Sequence, residues 1–253
     1  MLDSFPFQYK KVLVPRGEKQ AKSFSLLVEK YGGIPVEIPL IAFRPIRDGV
    51  HLPMLDIYDW VIFTSGTAVE IFFSFVKKEM KVPKIAAIGS KTEEALRKRG
   101  LEVDFVPSAF VAEVFAKEFS AYIHRGERVL LPKGNLARDC IKQELTETGA
   151  VVDEAIIYEN YLPDESRKKL ANVLQGRQLD ILLFTSSSTV DHFMEVVKEY
   201  ELRDQLADCI IGCIGPVTKQ RLLEYDLPVH VCPKEYTVTG MMKSMADYLE
   251  KHK

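Results

Sequence analysis

An internal repeat limits the architectures open to this chain. Phe63-Thr64-Ser65-Gly66-Thr67-Ala68-Val69 returns as Phe184-Thr185-Ser186-Ser187-Ser188-Thr189-Val190, an offset of 184 − 63 = 121. Val12-Leu13-Val14-Pro15-Arg16-Gly17 returns at an offset of 117 as Val129-Leu130-Leu131-Pro132-Lys133-Gly134. Ile88-Gly89 with Thr92, Leu96, Leu101, Val103 and Pro107 returns at 126 as Ile214-Gly215 with Thr218, Leu222, Leu227, Val229 and Pro233. Three ordered matches with slowly growing offsets describe two related halves that differ by small loop insertions.

Each half alternates a short β-branched apolar run, a turn of small or polar residues and a helical period. Val61-Ile62-Phe63 leads through Thr64-Ser65-Gly66 into a helix over Val69, Phe72, Phe73 and Val76. Lys84 to Ile88 leads through Gly89-Ser90 into Thr92 to Arg99, which ends at Gly100, a residue suited to a left-handed cap. Leu101-Glu102-Val103 reads as the start of the next strand. In the second half, Ile181 to Phe184 precedes a helix over Val190, Phe193, Val196 and Val197, and Ile210 to Ile214 precedes Thr218 to Tyr225. Strands that alternate with helices imply parallel sheets covered on both faces. The fold class is therefore α/β, with each half reading as a small doubly wound domain.

The stretches 38–45 and 156–163 sit at matching places in the two halves and read as linkers. If both cross between lobes, the chain divides into a discontinuous lobe of residues 1–42 plus 162–253 and a second of 43–157.

Composition removes several classes of function. With 47% hydrophobic and 28% charged residues in 253, the chain can bury a core and is not disordered. Its 34 Lys and Arg against 36 Asp and Glu leave no basic field for a nucleic acid. No apolar run approaches a membrane span, and MLDSFPFQYKK lacks a signal-peptide core, so a cytoplasmic protein without membrane or nucleic-acid partners is expected. Cys140, Cys209, Cys213 and Cys232 form no CxxC pair and no zinc-spaced cluster, which fits reduced, mostly buried thiols without disulfide or metal. The histidines, His51, His124, His192, His230 and His252, are scattered, and nucleotide, zinc-protease and hydrolase motifs are missing.

Ligands of open parallel sheets bind beyond the carboxyl ends of the strands, where helix N-termini present unpaired N–H groups. Four repeated turns belong there: Thr64-Ser65-Gly66-Thr67, Gly89-Ser90-Lys91-Thr92, Ser186-Ser187-Ser188-Thr189 and Gly215-Pro216-Val217-Thr218. Hydroxyls and backbone donors at a helix start favour anions, although Ser and Thr there also serve as ordinary N-caps. Arg16 and Lys133 occupy matching strand ends and suit an anionic partner. Tyr158 ends an apolar run at the second linker. Phenols titrate near pH ~10, so one held there acts as an acid or hydrogen-bond donor rather than a base, or it simply packs.

The series Val12-Leu13-Val14-Pro15-Arg16, Phe63-Thr64-Ser65, Ile88-Gly89-Ser90-Lys91-Thr92, Ile157-Tyr158, Phe184-Thr185-Ser186, Ile214-Gly215-Pro216-Val217-Thr218, Pro233 and Tyr236-Thr237 resembles the uroporphyrinogen-III synthase family over nearly the whole chain. The resemblance implies two similar doubly wound parallel-sheet lobes joined by a two-stranded linker, with the N-terminal segment in the same lobe as the C-terminal part. It implies a lyase that cyclises hydroxymethylbilane to uroporphyrinogen III with loss of water and inversion of the last pyrrole ring. No cofactor or metal is implied, and a monomer is expected. It further makes Tyr158 the residue that assists hydroxyl loss, and Ser65, Ser186, Ser187 and Thr218 carboxylate binders. With the turns and basic residues above, the candidate binding set is Arg16, Thr64, Ser65, Ser90, Lys133, Ser186, Ser187, Gly215 and Thr218. Gly66 and Val217 depart from the family pattern. The rival reading is a non-catalytic two-lobe binder of a polyanionic small molecule, which needs no Tyr158.

Overall fold

The computed structural model describes residues 5–47, 54–76, 82–137 and 139–252; His51 lies outside them. In chain order the elements are β1 (Lys11–Val14), α1 (Glu18–Lys30), β2 (Ile34–Glu37), β3 (Ala42–Pro45), β4 (Trp60–Phe63), α2 (Gly66–Phe75), β5 (Lys84–Ala87), α3 (Ser90–Arg97) and α4 (Ala112–Phe119). There follow β6 (Arg128–Gly134), α5 (Cys140–Glu147), β7 (Val151–Tyr161), α6 (Asp164–Gln175), β8 (Ile181–Phe184), α7 (Ser187–Glu199), β9 (Ile210–Cys213), α8 (Pro216–Glu224) and α9 (Val238–Lys251).

Two compact units result, one of Met1–Ala42 with Tyr161–Lys253 and one of Phe43–Asn160. The divisions after residues 42 and 160 fall inside the two stretches read as linkers. The discontinuous unit holds a sheet of order β2-β1-β8-β9 and the other a sheet of order β3-β7-β6-β4-β5. The pairings β1 with β2, β1 with β8, β8 with β9, β4 with β5, β4 with β6 and β6 with β7 are all parallel. The repeat explains the likeness of the sheets, because β1 matches β6, β8 matches β4 and β9 matches β5. The sequence halves themselves do not each close a sheet. Strands β1 and β2 of the first half complete the sheet begun by β8 and β9 of the second.

Alternate strand residues divide between two layers, as a period of two requires. In the discontinuous unit, Leu13, Leu182 and Phe184 pack with Leu170 of α6, Phe193 of α7 and Leu222 of α8. Val12, Val14, Ile181 and Leu183 pack with Phe24 of α1 and Met241 and Met245 of α9. In the other unit, Val61, Phe63, Ile85 and Leu130 meet Val69 and Phe72 of α2 and Leu96 of α3. Ile62, Ala86, Val129 and Leu131 meet Phe115 and Phe119 of α4 and Ile141 and Leu145 of α5. Both sheets are thus doubly wound.

Gly100, at φ +77°, ends α3 as its position predicts. The strand expected at Leu101-Glu102-Val103 is absent, and a single bridge pairs Ala86 with Phe105. The reason is a side chain in a backbone's place: the Asp104 carboxylate accepts the Ile85 N–H at 2.8 Å. The repeat does the same at its other copy, where His230 Nδ1 accepts the Ile211 N–H at 2.9 Å beside a lone Gly212–Val231 bridge.

Candidate functional site

In the Phe43–Asn160 unit, β4 ends at Phe63 and the chain turns through Thr64 and Ser65 into α2. Ser65 is extended (φ −157°, ψ 156°) and its Oγ accepts the Ala68 N–H at 3.1 Å, so it is the N-cap of that helix. The same Oγ lies 3.5 Å from the phenol oxygen of Tyr158. Tyr158 stands on β7 and is only 8% exposed. Its ring meets Phe43 edge-on, with centroids 5.8 Å apart. Gly89 precedes α3, where Ser90 is exposed to solvent in the first turn.

The discontinuous unit repeats the plan. Ser186 caps α7 by accepting the Thr189 N–H at 3.3 Å, and Ser187 opens the helix. Arg16, past the end of β1, donates from Nε to Thr185 Oγ1 at 3.0 Å, which brings it to the Ser186 turn. Burial lowers the Arg16 pKa from its ordinary value, because desolvation disfavours the charged form. Gly215 precedes α8, whose first residue is Pro216. The four turns therefore lie at carboxyl ends of strands and start helices, and within each unit they gather at one sheet edge. That arrangement offers N–H and O–H donors suited to carboxylates.

Two of the expected ligands are buried. Thr218 is 3% exposed and faces the interior of α8's first turn, as its counterpart Thr92 does at 5%. Lys133 is 4% exposed, and its Nζ is held by Asp139 Oδ1 at 2.6 Å and Glu154 Oε1 at 2.7 Å. Desolvation acts to lower the Lys133 pKa, but hydrogen bonds and charge from Asp139 and Glu154 outweigh it and raise the pKa. Two carboxylates therefore already hold this ammonium. Glu154 within the apolar run of β7 was the available signal, since a lysine buried in a strand needs a counter-charge.

Of the four thiols, Cys209 and Cys213 are buried, Cys140 is partly buried and Cys232 is exposed. Among the described histidines, His192 contacts the Leu40 carbonyl at 2.6 Å and His230 serves the backbone as above. Among the described residues no group of three or more His, Cys, Asp or Glu is placed to hold a metal ion, and no helix is long and apolar enough to cross a membrane.

A 560 Å³ pocket near the opposite ends of the strands is lined by Asp56, Asp59, Glu102 and Asp104 against Lys84, a lining that repels polycarboxylates. A 690 Å³ groove beside the starts of α7 and α8 includes Ser187, Pro216 and Val217, and its Arg221 is already paired with Asp191 at 2.5 Å and Glu224 at 2.7 Å.

Comparison with known proteins gives a consistent result. A family model described as Uroporphyrinogen-III synthase HemD matches residues 22–243. A uroporphyrinogen-III synthase of Chlorobaculum parvum is 28% identical over 95% of this chain and 100% of its own length. A putative one of Methanothermobacter thermautotrophicus is 32% identical over 76% and 78%. Among solved structures, a mutant uroporphyrinogen III synthase of Thermus thermophilus superposes with a TM-score of 0.65 at 19% identity, covering 96% of this chain and 99% of that one. The uroporphyrinogen-III synthetase of Helicobacter pylori gives 0.60 at 17%, covering 92% and 96%.

Proposed function

Because the chain belongs to the uroporphyrinogen-III synthase family, we propose that it cyclises hydroxymethylbilane to uroporphyrinogen III, with loss of water and inversion of the last pyrrole ring. The observation that carries this reading is the family match over residues 22–243. The two compact units are the two lobes of that reading, and the enzyme is a lyase acting on a small molecule without a cofactor.

The chemistry asks for positioning and one acid. The substrate's carboxylates find donors at the starts of α2, α3, α7 and α8, with Arg16 adding charge at the Ser186 turn. Tyr158 donates a proton as the hydroxyl of hydroxymethylbilane departs as water. The electron-rich pyrrole chain stabilises the resulting azafulvene cation, and the substituted carbon of the last ring attacks it to give a spiro intermediate. The older bond between that carbon and its methylene bridge then breaks, the bridge closes onto the unsubstituted carbon of the same ring, and the proton this carbon loses balances the one Tyr158 gave. Holding the chain so that this carbon reaches the cation supplies most of the advantage, as effective-molarity arguments allow. Near-balance of 34 basic and 36 acidic residues leaves no basic field for a nucleic acid, and on this reading the enzyme is a cytoplasmic monomer.

Freshly generated hydroxymethylbilane supplied to the purified protein tests the proposal when the products are oxidised and the uroporphyrin isomers separated. Type III in excess is expected, because uncatalysed closure yields type I. Type I alone, at the uncatalysed rate, would replace this reading with the non-catalytic binder.

A further inference from the structure

The end of β6 pairs irregularly with β7. Lys133 faces Ile156, but Gly134 faces Tyr158, so Ile157 has no partner on β6. Consecutive residues of an unbroken strand point to opposite faces. An extra residue resets that alternation. Here Ile157 and Tyr158 pack in one cluster with Val61, Phe63 and Leu130. The bulge is held on both sides, by the Ile46 N–H donating to the Ile157 carbonyl at 3.0 Å and the Asn135 N–H donating to the Tyr158 carbonyl at 3.1 Å.

Gly134 makes room for the ring this bulge turns inward. A Cβ on Gly134 would lie 2.7 Å from Cζ of Tyr158, the carbon that bears the hydroxyl, and nearer still to Cε2. Gly134 is not among the residues with positive φ, so the demand for glycine is one of space. The repeat provides an internal comparison. At the offset of 117, Gly134 and Tyr158 correspond to Gly17 and Ile41. A Cβ on Gly17 would meet only the Ile41 carbonyl oxygen, at an ordinary 3.7 Å.

We propose that Gly134 and the β7 bulge form a positioning element that seats the Tyr158 phenol oxygen beside Ser65, so that Gly134 sets where the proton donor stands. The proposal rests on the reading of Tyr158 as that donor. It needs no contact between Gly134 and substrate.

The test compares Gly134→Ala, Tyr158→Phe, their double variant and Gly17→Ala. Readouts are kcat, KM, thermal midpoint and the Tyr158 13Cζ resonance, assigned by its loss in Tyr158→Phe. Gly134→Ala is expected to shift the resonance and lower kcat about 100-fold with KM within about two-fold. It should add nothing to the kcat loss in the Tyr158→Phe background, and Gly17→Ala should keep the wild-type kcat and resonance. An unmoved resonance, or an equal loss of kcat from Gly134→Ala with and without the phenol, overturns the proposal. If the resonance moves while Tyr158→Phe keeps full kcat, the positioning stands and the donor role falls. Should Gly134→Ala not fold, Gly134→Ala with Tyr158→Ala is expected to fold because the obstructing ring is gone; failure of that pair to fold overturns the proposal as well.

Discussion

The Ser65 Oγ and the Tyr158 phenol oxygen stand 3.5 Å apart across 93 residues of chain. One serine therefore serves two neighbours, since the same oxygen accepts the Ala68 N–H that starts α2. Its repeat counterpart Ser186 caps α7.

That difference separates stability from turnover. Ser65→Ala and Ser186→Ala should each cost about 1 kcal/mol of stability through loss of the cap, read by urea denaturation. Only Ser65→Ala should also lower kcat for type III formation. Equal kcat losses in both variants would show that the contact with Tyr158 contributes nothing particular.

Removing the phenol oxygen tests the donor directly. Tyr158→Phe keeps the ring packed against Phe43 and should leave stability near wild type. Turnover at saturating substrate should fall about 100-fold, in the range for loss of a general acid. An unchanged rate would remove Tyr158 from the chemistry.

Lys133→Met addresses a residue whose position in the repeat suggests binding and whose surroundings suggest structure. It strips the partly buried carboxylate of Glu154 of one partner and leaves Lys142 at 3.2 Å. Because that second cation remains, the loss should be about 2 kcal/mol, below the full cost of breaking a buried pair. Adding Glu154→Gln should recover part of it, and KM should not move. A raised KM with unchanged stability would return Lys133 to the binding set.

Alkaline conditions should destabilise the fold through its buried thiols. Burial, with nearby Asp180 and Asp208, pushes Cys209 up to about 11, and burial followed by the neighbouring Cys232 pushes Cys213 up to about 12. From an ordinary 9.0 upward the unfolded chain loses these protons first. It then binds fewer protons than the native state, so stability is full below about pH 9 and declines between 9 and 12. Thermal midpoints measured from pH 7 to 10.5 should fall more steeply for wild type than for Cys209→Ala/Cys213→Ala. At pH 7.5 iodoacetamide should modify Cys232 first and spare both buried thiols.

Much of this was legible locally. The apolar runs at Val61-Ile62-Phe63 and Ile181 to Phe184, the caps Ser65 and Ser186 and the stop at Gly100 all depend on residues within a few positions of one another. Side-chain period, capping and φ preference act over that range. The Thr-Ser and Ile-Gly turns could thus be placed at strand ends, and the repeat made the two sheets alike. Leu101 to Val103 resisted the same treatment because Asp104 takes the Ile85 N–H that a continuing strand would need.

Which strands share a sheet is a different kind of fact. A strand's edges carry donors and acceptors that any parallel partner satisfies, so β1 pairs with β8, from the other half of the sequence, as readily as the pattern would let it pair elsewhere. The pairing of Lys133 with Glu154 and the bulge that turns Tyr158 toward Ser65 are of this kind too. Both depend on register between β6 and β7, and register is settled when whole faces are buried at once. Periodicity and turn chemistry are properties of neighbouring residues and can be read along the chain; pairing, register and the neutralisation of a buried charge exist only once distant segments pack together.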